Sequence, residues 1–202
     1  MMNEEQRKRH WGSPEHNSLE QKYSEERYSY PVKDLEDIYS GKVILDCGCG
    51  WGAGAVKIAK AHTPKQIIAI DVNDEALELA KKSYTHELVD YRKELIFDTK
   101  LDDESVDTII VVEVVEHVDS EELDLSFKEF YRVLKDGGKL YVSTPELRGN
   151  REDFPKGSHF MEYEFMELIE LIVPYGFRLV WSKRKGELDS ISMALVFEKD
   201  KK

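Results

Sequence analysis

Val43-Ile44-Leu45-Asp46-Cys47-Gly48-Cys49-Gly50-Trp51-Gly52 is an apolar run that ends in an acid and then carries three glycines at alternate positions. A helix-forming segment, Ala53 to Ala61, follows at once. The physical reading is a buried strand, a tight turn and a helix N-terminus. Glycine has no side chain, so a ligand can lie against the backbone at Gly48, Gly50 and Gly52, beside the positive end of the helix dipole. The spacing is G-x-G-x-G, which differs from the G-x-G-x-x-G of dinucleotide enzymes, and no Gly-Lys-Ser/Thr follows to cradle a phosphate. A second short apolar run, Ile67-Ile68-Ala69-Ile70, also ends in an acid, Asp71. In nucleotide-binding α/β folds an acid at the tip of the second strand accepts hydrogen bonds from ribose hydroxyls.

Working outward, short apolar runs alternate with helical periodicity. Strands are expected near Lys42–Cys47, Gln66–Asp71, Lys93–Phe97, Val106–Val112 and Lys139–Thr144. Helices are expected near Ala53–Ala61, Asp74–Ser83, Glu121–Leu134 and Glu162–Val173. Strands separated by helices imply crossover connections and a parallel sheet. The end differs: Phe177–Lys183 and Ile191–Glu198, joined by Gly186-Glu187-Leu188-Asp189-Ser190, read as an antiparallel pair. The long loop Glu146–Ser158 lies at the carboxyl ends of the strands and should border a pocket.

The composition sets limits. A chain of 202 residues with 41% hydrophobic content suits one domain with a sizeable core. No apolar run reaches the length of a membrane span, and the polar N-terminus is not a signal peptide. The two cysteines, Cys47 and Cys49, sit inside the glycine turn, too close for an ordinary structural disulfide, and a reducing cytoplasm fits them. A net charge of −12 argues against bulk nucleic-acid binding, although one nucleotide or RNA end is not excluded.

At the glycine turn and at Asp71 the chain resembles the class I S-adenosylmethionine (SAM)-dependent methyltransferases, and the resemblance continues in order from about Arg27 to Phe177. Ser105-Val106-Asp107-Thr108-Ile109-Ile110-Val111-Val112-Glu113 is similar to the family's fourth strand. Val114-Val115-Glu116-His117-Val118 is similar to its E-H-V continuation, and Arg132-Val133-Leu134-Lys135-Asp136-Gly137-Gly138 to its R-x-L-K-x-G-G turn. The resemblance implies an α/β, Rossmann-like fold. Its seven-stranded sheet would be mostly parallel with the last strand antiparallel, and helices would cover both faces. It also implies a tail and lid helix in residues 1–30, with the methyltransferase domain in 31–202.

For the cofactor SAM the resemblance implies backbone contacts at Gly48, Cys49, Gly50 and Gly52, with Asp46 near the amino group. Asp71 would take both ribose hydroxyls and Val72 would pack on the adenine. Asp98 would accept from the adenine amino group with Thr99 beside it, Val112 would lie near the methionine portion, and Arg27 would hold the carboxylate. For catalysis the chain offers Glu113, Glu116, His117, His159 and Tyr163. Glu113 and Glu116 are three apart, so on a helix they would share a face. With His117 and His159 they have the composition of a metal shell for Mg or Mn. The E-x-x-E-H run occurs in two metal-requiring groups, the ubiquinone-biosynthesis O-methyltransferases and the small-RNA 3′-terminal ribose methyltransferases. Pro155-Lys156-Gly157-Ser158-His159 resembles the first and His159-Phe160-Met161-Glu162-Tyr163 the second. A metal-free pocket with His117 or His159 as base stands as the alternative. The expected acceptor is a hydroxyl on a small molecule, a glycan or a nucleotide end. A non-catalytic SAM-binding regulatory or partner-dependent subunit stands as the other reading of the whole chain.

Overall fold

The computed structural model describes residues 35–147, 160–184 and 192–201. The expected tail and lid, with Arg27, and most of the loop after the fifth strand, with His159, lie outside the described residues. Strand β1 (Val43–Cys47) leads through the glycine turn to helix α1 (Ala53–Ala61), then β2 (Gln66–Asp71), α2 (Asp74–Ser83) and β3 (Val89–Lys93). The second half runs β4 (Val106–Val112), a short 3₁₀ turn (Val115–His117), α3 (Ser120–Val133), β5 (Leu134–Pro145), α4 (Phe165–Ile172), β6 (Phe177–Lys183) and β7 (Ser192–Lys199).

The seven strands form one sheet in the order β3-β2-β1-β4-β5-β7-β6. β1 to β5 pair parallel with one another, and β7 runs antiparallel to both β5 and β6. The order in which successive strands are laid down reverses between β1 and β4, the switch point at whose carboxyl ends open α/β sheets bind ligands. The central strands are mainly apolar because both of their faces are covered. Leu45, Cys47, Ile109 and Val111 face a core built with Phe127 and Phe130 of α3. Ile44, Ile67, Ile110 and Tyr141 face the other core with Ile58 of α1.

Helix ends follow their capping residues. Asn73 caps α2 by accepting from the N–H groups of Glu75 and Ala76, and Asp119 caps α3 by accepting from those of Glu121 and Glu122. Asp74 and Glu75 in the first turn of α2, with Lys81 and Lys82 in its last, complement the helix dipole. Helix α4 starts at Phe165, later than the expected Glu162, because Glu164 and Glu167 form a reciprocal capping box there.

The third strand differs from expectation. The segment Lys93–Phe97 was the apolar choice, yet Val89–Lys93 pairs with β2, in register Ala69↔Tyr91 and Asp71↔Lys93. Ile96 instead packs against the α3-side core from the loop that follows. That loop is held by Glu129 of α3, whose carboxylate accepts from the Thr99 N–H (2.9 Å) and hydroxyl (2.6 Å) and from Arg132. Among the described residues no helix is long and apolar enough to cross a membrane.

Candidate functional site

The glycine turn is tied to β2 by its own backbone. The N–H groups of Gly48 and Cys49 both donate to the Ile70 carbonyl, at 2.9 and 3.0 Å. The Gly50 N–H donates to Asp71 Oδ2 at 2.8 Å, and the Asn73 N–H to Asp71 Oδ1 at 2.8 Å. Asp71 thereby ties the glycine turn and the start of α2 to the tip of β2 through one carboxylate.

The three glycines do different work. All have positive φ, at +72° for Gly48, +50° for Gly50 and +81° for Gly52. A Cβ on Gly48 would stand 2.5 Å from Val114 Cγ2, and one on Gly52 would collide with the Tyr91 hydroxyl and stand 2.7 Å from its Cζ. Only the Gly50 position opens on space, with nothing within 4 Å of a Cβ there. Gly48 and Gly52 are required by the protein's own side chains, whereas at Gly50 only the positive φ asks for glycine among the described residues. Asp46 is fully buried at the end of β1, and Val112 is buried at the tip of β4. Val72 is half-buried directly after Asp71. Cys47 and Cys49 are buried, and burial together with nearby acids pushes both thiols up, so neither is a thiolate nucleophile.

On the side of β3, Thr99 is fully buried and its hydroxyl and N–H are engaged by Glu129, so it fixes the loop. Burial pushes the Glu129 carboxyl up, but the bonds from Arg132 and Thr99 outweigh it and hold the group below its ordinary range. Asp98 is exposed and paired with Lys100. The acid that directly follows β3 is Glu94, half-buried. The alternation of Val89 and Tyr91 is the sequence signal for β3 itself.

At the tips of β4 and β5 the E-x-x-E-H run meets Ser143-Thr144. Glu113 has φ +55°, which breaks helical geometry at the end of β4. Its N–H donates to the Ser143 carbonyl at 2.9 Å, and the Ser143 hydroxyl approaches Glu113 Oε1 at 3.4 Å. The Thr144 hydroxyl donates to Glu116 Oε2 at 2.9 Å, and His117 Nε2 lies 3.8 Å from Glu116 Oε1. Glu116 is 1% exposed and His117 is 4% exposed. The Glu116 carbonyl accepts from the N–H groups of Phe160 (2.7 Å) and Met161 (3.3 Å), which anchors the returning chain. Tyr163, half-buried, bridges to Glu146 at the end of β5.

Successive strand residues point to opposite faces. Carboxylates engaged by Ser143 and by Thr144 are therefore drawn to opposite sides of the β5 tip. The expected sharing of one helical face by Glu113 and Glu116 does not occur. Among the described residues no group of three or more His, Cys, Asp or Glu side chains is placed to hold a metal ion. Of the expected set of Glu113, Glu116, His117 and His159, the first three come into one neighbourhood and His159 lies outside the described residues.

Comparison with known proteins agrees with this architecture. A family model described as a methyltransferase domain matches residues 45–142. A Mycolicibacterium smegmatis protein named "Probable S-adenosylmethionine-dependent methyltransferase" is 30% identical over 79% of this chain and 61% of its own length. An Aspergillus nomiae protein named "O-methyltransferase rstn1" is 29% identical over 66% of this chain and 60% of its own. The chain thus spans about three-fifths of the length of these two relatives. A solved SAM-dependent methyltransferase from Aquifex aeolicus superposes with a TM-score of 0.73 over 92% of this chain and 98% of that one, at 22% identity. The turn after β1, the acid at the tip of β2, the strand order and the matched domain together place the chain in the class I SAM-dependent methyltransferase family.

Proposed function

We propose that this chain binds SAM across the glycine turn and transfers its methyl group to a hydroxyl of a small or terminal acceptor held at the tips of β4 and β5. The observation that carries this reading is the contact between Gly48 and Val114, which joins the cofactor turn to the E-x-x-E-H run. Register supports it: β1 lies beside β4 and β4 beside β5, in pairs Cys47↔Val111 and Val112↔Ser143. A ligand over Gly50 and Asp71 would reach toward Glu113 within the same crevice.

When bound, SAM supplies a methyl on a sulfonium sulfur, and the sulfur keeps the bonding pair as the new C–O bond forms. The chain's task is to position the acceptor in line and to take up the hydroxyl proton. His117 is the proposed proton acceptor. It is buried, so water does not compete for the acceptor's proton, and Glu116 Oε1 lies 3.8 Å from its Nε2. Thr144 fixes that carboxylate, Glu113 borders the acceptor position, and Tyr163 forms part of the wall. No metal step is proposed, because the carboxylates of the run are directed to different partners. The name of the Aspergillus relative agrees with a hydroxyl acceptor.

The test is release of S-adenosylhomocysteine from SAM over a panel of hydroxyl compounds. His117→Asn should lower turnover by roughly 10²–10⁴-fold, the range of general-base catalysis, with S-adenosylhomocysteine affinity retained. Unchanged turnover in that variant overturns the role of His117. Failure of the wild-type chain to bind S-adenosylhomocysteine overturns the SAM reading. Binding without turnover by the isolated chain favours the partner-dependent alternative.

A further inference from the structure

We propose that Tyr91 is a positioning residue for the cofactor: from the edge strand β3 its hydroxyl sets the shape of the glycine turn at Gly52. This inference rests on SAM binding at that turn. Tyr91 lies in the middle of β3, opposite Ala69 of β2, so its ring passes along the α1 face of the sheet. There it packs with the core that contains Cys49, Ala55 and Ile58. The hydroxyl ends between two helix termini. It donates to the carbonyl of Tyr84, the C-cap of α2, at 2.8 Å. It also lies 3.2 Å from the carbonyl of Gly52, the N-cap of α1, which accepts the first helical bond from the Val56 N–H.

The contact is steric as well as polar. Nonbonded heavy atoms rest about 3.5–4.0 Å apart, and a Cβ on Gly52 would stand 2.7 Å from Tyr91 Cζ. The last glycine of the motif is therefore specified by a tyrosine 39 positions away, not by the ligand. The turn between them has anchors along its length: Gly48 and Cys49 on Ile70, Gly50 on Asp71, and Gly52 on Tyr91. Removing the last anchor frees the end from which α1 presents its first N–H groups. The ligand-facing residue is then held by the Gly50–Asp71 bond and by the Gly52 N–H to the Cys49 carbonyl, at 3.0 Å, with no side chain fixing the helix end. Burial, with Cys49 and Asp46 nearby, holds the phenol above its ordinary range, so the hydroxyl remains a donor at neutral pH.

The experiment is calorimetric titration of the full chain with S-adenosylhomocysteine, with thermal melting of the ligand-free protein alongside. Tyr91→Phe keeps the ring and removes the hydroxyl. Affinity should fall about fivefold, the scale of one neutral hydrogen bond. Gly52→Ala should lose much more, and Tyr91→Ala in the Gly52→Ala background should recover part of that loss, since the ring is what the new methyl strikes. A merely structural tyrosine would lower the melting temperature and leave the dissociation constant unchanged, with no recovery in the double variant; that pattern overturns the proposal. Absence of binding in the wild type would instead remove the SAM reading on which it stands.

Discussion

Replacing Asp71 by alanine tests the cofactor site most directly, because one carboxylate serves both the protein and the proposed ligand. In the ligand-free chain it accepts from the Gly50 and Asn73 N–H groups, each at 2.8 Å. Bonds of an ionised group contribute about 1.5–3 kcal/mol each when buried. Asp71 is only half-buried, so about 1 kcal/mol each is the working figure for the turn. Two ribose hydroxyls, desolvated by the ligand itself, would add about 3 kcal/mol or more to binding. At 1.4 kcal/mol per decade that corresponds to roughly 100-fold in the dissociation constant. Calorimetry with S-adenosylhomocysteine should show this loss, and thermal melting of the ligand-free variant should show the smaller loss from the turn. Adenosine and 2′,3′-dideoxyadenosine separate the two effects. The wild type should prefer adenosine, and Asp71→Ala should bind both alike. Wild-type affinity in Asp71→Ala, or an undiminished preference for adenosine, would refute the reasoning.

Gly48→Ala would force a Cβ to within 2.5 Å of Val114 Cγ2 at φ +72°. Left-handed backbone and overpacking together should cost about 2–4 kcal/mol in urea unfolding, and Val114→Ala in the same chain should return the steric share. Stability should fall in acid. The folded-state pKa of Glu129 is lowered, so its contribution is present above the ordinary glutamate range, about 4.3, and is lost as the pH falls through the folded-state value. Glu129→Gln should be less stable than wild type at pH 7, and urea unfolding at pH 7 and pH 4 should show that difference narrowing.

Much of the fold was legible because β1, β2 and β4 are covered on both faces and so read as continuous apolar runs that end in acids or turns. Their limits, and those of α1 and α2, matched the expected ones to within a residue. β3 was misplaced because edge position removes that signal. Val89-Asp90-Tyr91-Arg92-Lys93 is covered on one side only and mixes charge with apolar residues, whereas the more apolar Leu95-Ile96-Phe97 is loop. Asp98 accordingly lies five residues beyond the end of β3, and Glu94 directly follows that strand. What fixes that loop is Glu129, 30 positions from Thr99, and no local pattern announces a pairing of that range.

The same limit governs the site. Three glycines at alternate positions look like one device in the sequence, yet their neighbours are Val114, open space and Tyr91. Two glutamates three residues apart look like one face of a helix, yet the left-handed backbone at Glu113 prevents the helix. Each carboxylate then meets one of two adjacent β5 side chains, and the pleat of that strand sends those side chains to opposite faces. Each glutamate of the E-x-x-E spacing thus meets a hydroxyl of β5, Ser143 for Glu113 and Thr144 for Glu116. What the run does accomplish is continuity. Val114 closes on Gly48, Glu116 holds Thr144 and receives Phe160, and His117 is held beside that carboxylate. Val114, which packs over Gly48, directly precedes the 3₁₀ turn that carries Glu116 and His117. Cofactor geometry and the proposed base share one short stretch of backbone.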